Sequence, residues 1–233
     1  MHTFVEVFRW LTNLDHWSGS DGIPVRVLQH VEISAAAVAL AAAVAVPVGL
    51  FVGHTRRWQF LSSSIANLGR AIPSFAILSI AFLIFLAVAP SLAFGFGPTV
   101  VALFLLAVPP ILTNTYVGVQ TVDTDTIEAA RGMGMSEREV LFRLETPLAA
   151  PLIMAGVRTS AVTAVATATL SALIGGGGLG RYIVDGFHTS DTVKIVAGAI
   201  LVSVVAIATE LGFAAVERAV TPRTVSRRLA RHA

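Results

Sequence analysis

Cysteine is absent from the 233 residues, which removes disulfide frameworks, thiolate nucleophiles and cysteine-based metal sites together. Charge is scarce: 13% of residues are Asp, Glu, Lys or Arg, about half the share of a soluble domain. Lys194 is the only lysine, so the formal net charge of +2 rests on arginine. No G-x-x-x-x-G-K-[ST] run occurs, so the sequence offers no phosphate-cradling P-loop. The six histidines show no i,i+4 pairing and no H-E-x-x-H, which leaves them to surface and interface positions. No metal, cofactor or catalytic Ser/His/Asp set is expected. What the chain has instead is apolar surface, at 55% of residues and a mean hydropathy of +0.78. That balance belongs to a protein whose solvent is a bilayer.

The apolar residues gather into runs. Windows of about 19 residues find candidate spans near 33–52, 61–89 (broken at Pro73), 99–119 (with Pro109-Pro110 inside), 148–174 and 193–216. The expected fold class is therefore all-α: a polytopic membrane bundle of about five transmembrane helices. Small residues fill SAVTAVATATLSA in the fourth span, a composition that packs against other helices rather than lipid. Before the first span, Phe4, Val7, Phe8, Leu11 and Leu14 repeat at helical spacing. Residues 1–26 thus read as an amphipathic helix in the membrane interface, with Trp10 and Trp17 at headgroup depth, or as an ordinary packed helix. Without a basic start, and with Glu6, Arg9 and Asp15 breaking any apolar core, this segment does not resemble a cleaved signal.

Basic residues set an orientation. Arg56, Arg57, Arg131, Arg138, Arg143, Arg218, Arg223, Arg227, Arg228 and Arg231 share one side of such a bundle, against Arg9, Arg26, Arg181 and Lys194 on the other. Positive-inside topology then places the 120–147 loop and the basic tail 223–233 in the cytoplasm and the N-terminus outside.

That loop carries EAARGMGMSEREVLFRLETPLAAP, starting at Glu128. Asp125…Glu128 and Ser136…Glu139 both have capping-box spacing, which predicts two short helices. Gly132 and Gly134 stand where a left-handed turn would join them. Pro147 should end the insert and open the fourth span. A DNA-binding helix-turn-helix has a similar outline, but six carboxylates against three arginines would repel phosphate. A docking element for another protein fits better, and no nucleic acid is expected as a partner.

The same residues carry a resemblance. Glu128, Ala129, Ala130, Gly134 and Pro147, with Leu144 before Pro147, match in spacing the EAA motif of permease subunits of bacterial ABC importers, whose fold is called MetI-like. Thr146 departs from the usual leucine. GRAIPSFAIL, PPILTNTYVGV, APLIMAGVRTSAV and ALIGGGGLGRYIVDGF are similar to stretches of the osmoprotectant branch, which imports glycine betaine, choline, carnitine and related amines. The resemblance covers about 30–222 and implies a transmembrane domain over 27–222 in the bacterial cytoplasmic membrane. It implies a coupling helix seated on cytoplasmic ATPase subunits (two per complex), and hydrolysis by those subunits alone. It also implies a second permease copy or a paralogue, and an extracytoplasmic substrate-binding protein. An ABC permease for another small solute, such as an amino acid, remains the alternative, as does a secondary transporter or channel.

Further features invite a functional reading. Gly175, Gly177 and Gly180 spell G-x-G-x-x-G, but no βαβ unit surrounds them. With Gly178 they form a flexible turn at the outer end of the fourth span, and in family terms resemble an outer gate. Asn114 and Tyr116 are polar groups inside a span, serving either as helix–helix glue or as pathway lining. With Pro73 they complete the candidate pathway residues. Arg158 and Glu210 fall at similar depth and suggest a pair.

Overall fold

The computed structural model describes residues 2–58, 60, 62, 64 and 71–220. The expected basic tail 223–233 lies outside the described residues, as does Arg70. All regular elements among the described residues are helices: α1 (His2–Thr12), α2 (Ile23–Thr55), α3 (Ser74–Val88), α4 (Phe96–Gln120), α5 (Thr124–Gly132), α6 (Glu137–Glu139), α7 (Thr146–Thr167), α8 (Gly180–Thr189) and α9 (Thr192–Val220). A π-helical turn over Val140–Glu145 joins α6 to α7, and a 3-10 stretch, Ala168–Ile174, extends α7.

Four of these stretches are long and apolar enough to cross a membrane: Ile23–Thr55, Phe96–Gln120, Glu137–Ile174 and Thr192–Arg218. The chain is a multi-pass membrane protein. The span expected over 61–89 is described only as α3, 15 residues long and capped by Pro73. Its length of about 22 Å is short of a core of about 30 Å. The first span begins ten residues before its expected start, at Ile23 behind Gly22, with Pro24 in its first turn. The boundary expected at 26/27 therefore falls inside α2. Hydropathy missed this because Arg26 and Glu32 interrupt the apolar run while staying helical.

α4 runs between α2 and α7. A Cβ on Gly49 or Gly53 would come within 2.6 Å of Thr115 Cβ or Val119 Cβ, and one on Gly156 within 2.8 Å of Asn114 Cβ. Close approach of this kind suits helices in lipid, where no hydrophobic force drives them together and van der Waals contact must. Val38, Ala41, Ala45, Ala107, Ile111, Leu112, Ala161 and Ala164 fill the shared core. Just before Pro109-Pro110, Ser160 Oγ donates across to Ala107 O at 2.8 Å.

α9 is tied to α7 by charge: Arg158 Nε lies 3.3 Å from Glu210 Oε1, the expected pair, and Arg158 Nη1 lies 2.7 Å from Glu217 Oε2. α1 buries Val7 and leaves Phe4 and Phe8 exposed, as is Leu14 just beyond it. Trp10, read at headgroup depth or as part of a packed helix, packs against Ile23, Leu179 and Tyr182.

Candidate functional site: the charged insert and the glycine loop

The insert is a helical hairpin with its own small core, in which Val122, Ile127, Ala130 and Val140 pack with Met135 and Leu144. α5 begins at Thr124 behind Asp123, whose Oδ2 accepts from Thr126 Oγ1 at 3.1 Å. The capping box expected at Asp125 is not formed. Asp125 lies in the first turn, where a carboxylate still meets the positive end of the helix dipole, and the Glu128 carboxylate is left free to face outward. The turn after α5 is a Schellman motif: Met135 N–H donates to Ala130 O (3.2 Å) and Gly134 N–H to Arg131 O (2.9 Å). Gly134 carries the left-handed φ of +90°. Gly132 is helical, so only one of the two glycines serves the turn.

The second capping box forms as its spacing predicts. Ser136 N donates to Glu139 Oε2 at 3.0 Å, and Glu139 N to Ser136 Oγ at 3.4 Å. From there the helix does not stop at Pro147. Thr146 N–H bonds to Leu141 O five residues back, and the Thr146 hydroxyl reaches the same carbonyl at 2.8 Å. Proline has no N–H to give and crowds the carbonyl four residues before it. The widened π turn ahead of Pro147 accommodates both, so the insert runs directly into α7. Of the motif residues, Glu128, Ala129, Gly134 and Pro147 are exposed. Ala130 is 3% exposed and packs inside the hairpin, so its small size serves the insert itself.

One group that the sequence left aside joins this insert to the bundle. His54, in the last turn of α2, has Nδ1 2.6 Å from Glu145 Oε2 and Nε2 3.3 Å from Glu137 Oε2. Glu137 in turn accepts both Nε and Nη2 of Arg131, each at 2.9 Å. That bonding holds the Arg131 guanidinium above its ordinary pKa, so Arg131 stays charged beside Glu137. Glu145, between apolar Leu144 and Thr146, is buried at 3% exposure. Its position in the motif was the available signal, since a buried carboxylate needs a partner.

The opposite end of the bundle holds the glycines. Gly178, with a φ of +84°, donates its N–H to Gln29 Oε1 at 3.0 Å, and the same oxygen accepts from Arg26 Nη1 at 3.0 Å. His30 is fully buried, its Nε2 2.8 Å from Val165 O. A Cβ on Gly177 would meet Gln29 Oε1 at 2.3 Å, and one on Gly180 would meet Thr169 O at 2.1 Å. Gly175, at φ +77°, ends the 3-10 stretch. The loop is thus clasped to α2 by backbone approach that a side chain would block.

The candidate pathway residues do not converge on one place. Asn114 lies towards the insert end of α4 and donates to Pro110 O of its own helix at 2.8 Å. Tyr116 packs against the main core cluster. Neither bonds another helix among the described residues. Pro73 caps the end of α3 remote from the glycine loop.

Comparison with known proteins follows this geometry. Residues 45–222 match the family described as "Binding-protein-dependent transport system inner membrane component". The chain is 40% identical over 202 residues to the "Choline transport system permease protein OpuBB" of Bacillus subtilis (strain 168), covering 87% of this chain and 90% of that one. It is 39% identical over 201 residues to the "Carnitine transport permease protein OpuCB" of Listeria monocytogenes, covering 86% and 89%. Among solved structures, an inward-facing MetNI methionine ABC transporter chain superposes with a TM-score of 0.74 at 20% identity, over 84% of this chain and 94% of that chain, which supports the fold alone. A match over most of the length, taking in the insert and the glycine loop, shows that the chain belongs to the family of binding-protein-dependent transport system inner membrane components.

Proposed function

We propose that this chain is the membrane-spanning subunit of an ATP-driven importer for quaternary-amine osmoprotectants: glycine betaine, choline, carnitine or a close relative. The substrate class rests on the relatives above, whose names specify choline and carnitine. The carrying observation for the mechanism is the insert: a charged hairpin capped at both of its inner ends, with Glu128 and Ala129 facing out. Its charges reach back to α2 through His54. Such an element receives force from outside the bilayer and hands it to two helices, α2 and α7.

In this reading the insert faces the cytoplasm and docks on one of two ATPase subunits. The N-terminus and the glycine loop face outward, towards a substrate-binding protein. A second permease, a copy or a paralogue, completes the pathway. ATP is hydrolysed by the ATPases, while this chain converts their closure into movement of its helices. Gly175, Gly177, Gly178 and Gly180 act at the outer gate, and Pro73, Asn114 and Tyr116 lie along or beside the route.

The test is co-purification with an ATPase subunit, then ATP-dependent uptake of labelled choline, glycine betaine and carnitine by the reconstituted complex. Uptake of methionine or a sugar without quaternary amines would overturn the substrate class and leave the permease role standing.

A further inference from the structure

A carboxylate stands without a partner at the glycine-loop end of the bundle. Glu32 lies nine residues into α2, about 13 Å from the helix start. It makes no ion pair or hydrogen bond among the described residues. Three acidic neighbours at that end are engaged: Asp21 with Arg26, Asp185 with Arg181, and Asp191 with the Lys194 N–H. An ionisable group inside a spanning helix is costly to keep unless it serves a cavity or a partner.

Glu32 does face a cavity. Together with Gln29, Ile33, Phe96 and Gly177 it lines a space of about 200 Å³. Gln29, Glu32 and Ile33 share one face of α2 by their i, i+3 and i+4 spacing. Phe96, the first residue of α4, is half exposed and makes no ring contact among the described residues. Gly177 belongs to the clasp already described, and its missing Cβ is what leaves room beside Gln29. The nearby Arg26 charge is matched by Asp21. A free carboxylate and a free aromatic ring in a space smaller than a drug-sized pocket suit a small organic cation, drawn by charge and by the ring's quadrupole. The larger cavity at this end, about 380 Å³, also holds aromatic residues. There, however, His16 stacks on Trp10 at 4.1 Å and the Tyr182 ring lies 5.3 Å away in a T-shaped arrangement, so its aromatic surface is already used.

We propose that Glu32 and Phe96 form a subsite for a quaternary ammonium headgroup, directly against the Gln29–Gly178 clasp of the glycine loop. The identification of the ligand class rests on the importer reading above. A headgroup held there touches the loop that must move for passage, so occupancy and opening share the same residues. The subsite reads the cationic end of the substrate, which makes choline, with no carboxylate, more dependent on Glu32 than zwitterionic glycine betaine.

Two measurements test this. First, tetramethylammonium chloride is titrated into the intact detergent-solubilised complex without its binding protein, following saturation transfer to the N-methyl protons. A signal that is lost in Glu32→Gln and Phe96→Ala, and partly kept in Glu32→Asp and Phe96→Tyr, is the expected result. An unchanged signal in Glu32→Gln, or none in the wild type, overturns the subsite. Second, ATP-driven uptake is compared in proteoliposomes. The expected change in Glu32→Gln is a rise in KM of roughly 3- to 30-fold for choline, with a smaller rise for glycine betaine and unaltered affinity of the binding protein. Equal losses for both substrates, falling on maximal rate alone, would mark a merely structural role and overturn the proposal. A wild type that binds tetramethylammonium but imports no quaternary amine would defeat the importer's substrate assignment while leaving the cation subsite intact.

Discussion

His54 is the residue on which the insert's attachment turns. Its two ring nitrogens meet carboxylates from two different parts of the insert, one buried (Glu145) and one half open (Glu137). Removing it leaves Glu145 without its only side-chain partner among the described residues, at about 1–3 kcal/mol for an unsatisfied buried polar group. His54→Ala should therefore lower the Tm of the purified complex by several degrees and reduce transport per ATP hydrolysed. Glu137→Gln, at an exposed position, should change Tm little; equal effects of both substitutions would show that burial of Glu145 is not what matters. Gly134 gives a cleaner perturbation, because nothing lies within 4 Å of the position a Cβ would take. Gly134→Val therefore strains only the backbone, by about 1–2 kcal/mol. The expected outcome, as for Glu128→Lys on the outward face, is near-normal insertion with weakened ATPase association in a pull-down. Normal association and coupled transport in both variants would remove the docking role from this hairpin. The turn glycine and the second capping box were legible in the sequence because each is set by residues within four positions. The His54–Glu145 contact spans 91 positions, and no local spacing announces it.

At the scale of elements, the junction between insert and span matters most. Six residues, Val140–Glu145, widen the helix just before Pro147, and the widened turn fixes the rotation of the insert relative to α7. A sequence reading that takes proline as a boundary stops the helix there; the structure carries it through, since a π turn removes the clash that makes proline a breaker. Deleting Phe142, an exposed member of that turn, should restore α-helical winding and rotate the insert by about 100° about the helix axis. That rotation takes Glu137, on the insert side of the deletion, away from His54. Basal ATPase binding should fall and uptake should stop, while circular dichroism of the complex stays helical. Wild-type uptake in the deletion would show that the register of this junction carries no function. Span prediction met a similar limit at α2, where two charged residues hid the first ten positions of a continuous helix.

For the molecule as a whole, the two ends are chemically distinct, and their sidedness can be tested directly. The chain has no native cysteine, so single cysteines at Met133 in the insert and His188 in α8, both exposed, report on opposite faces. An impermeant thiol reagent added to intact cells should label His188→Cys and spare Met133→Cys; the reverse pattern would invert the orientation. The bundle class, the insert and the glycine loop were all readable from hydropathy and motif spacing. The division of labour between the ends was not, because it depends on which helices reach both of them.

α2 is such a helix. It carries Gln29 and His30 in the glycine-loop clasp and His54 in the insert clasp, with no break between them although Pro47 lies inside. From His30 to His54 is 24 residues, about 36 Å of helical rise. A pull on the insert end of this strut is therefore delivered at the far mouth as the same displacement, without relay through packed side chains. If the importer reading holds, the gate and the motor mount are two fittings on one pushrod, and stiffness along α2, rather than any chain of contacts across the core, sets how much of the stroke arrives.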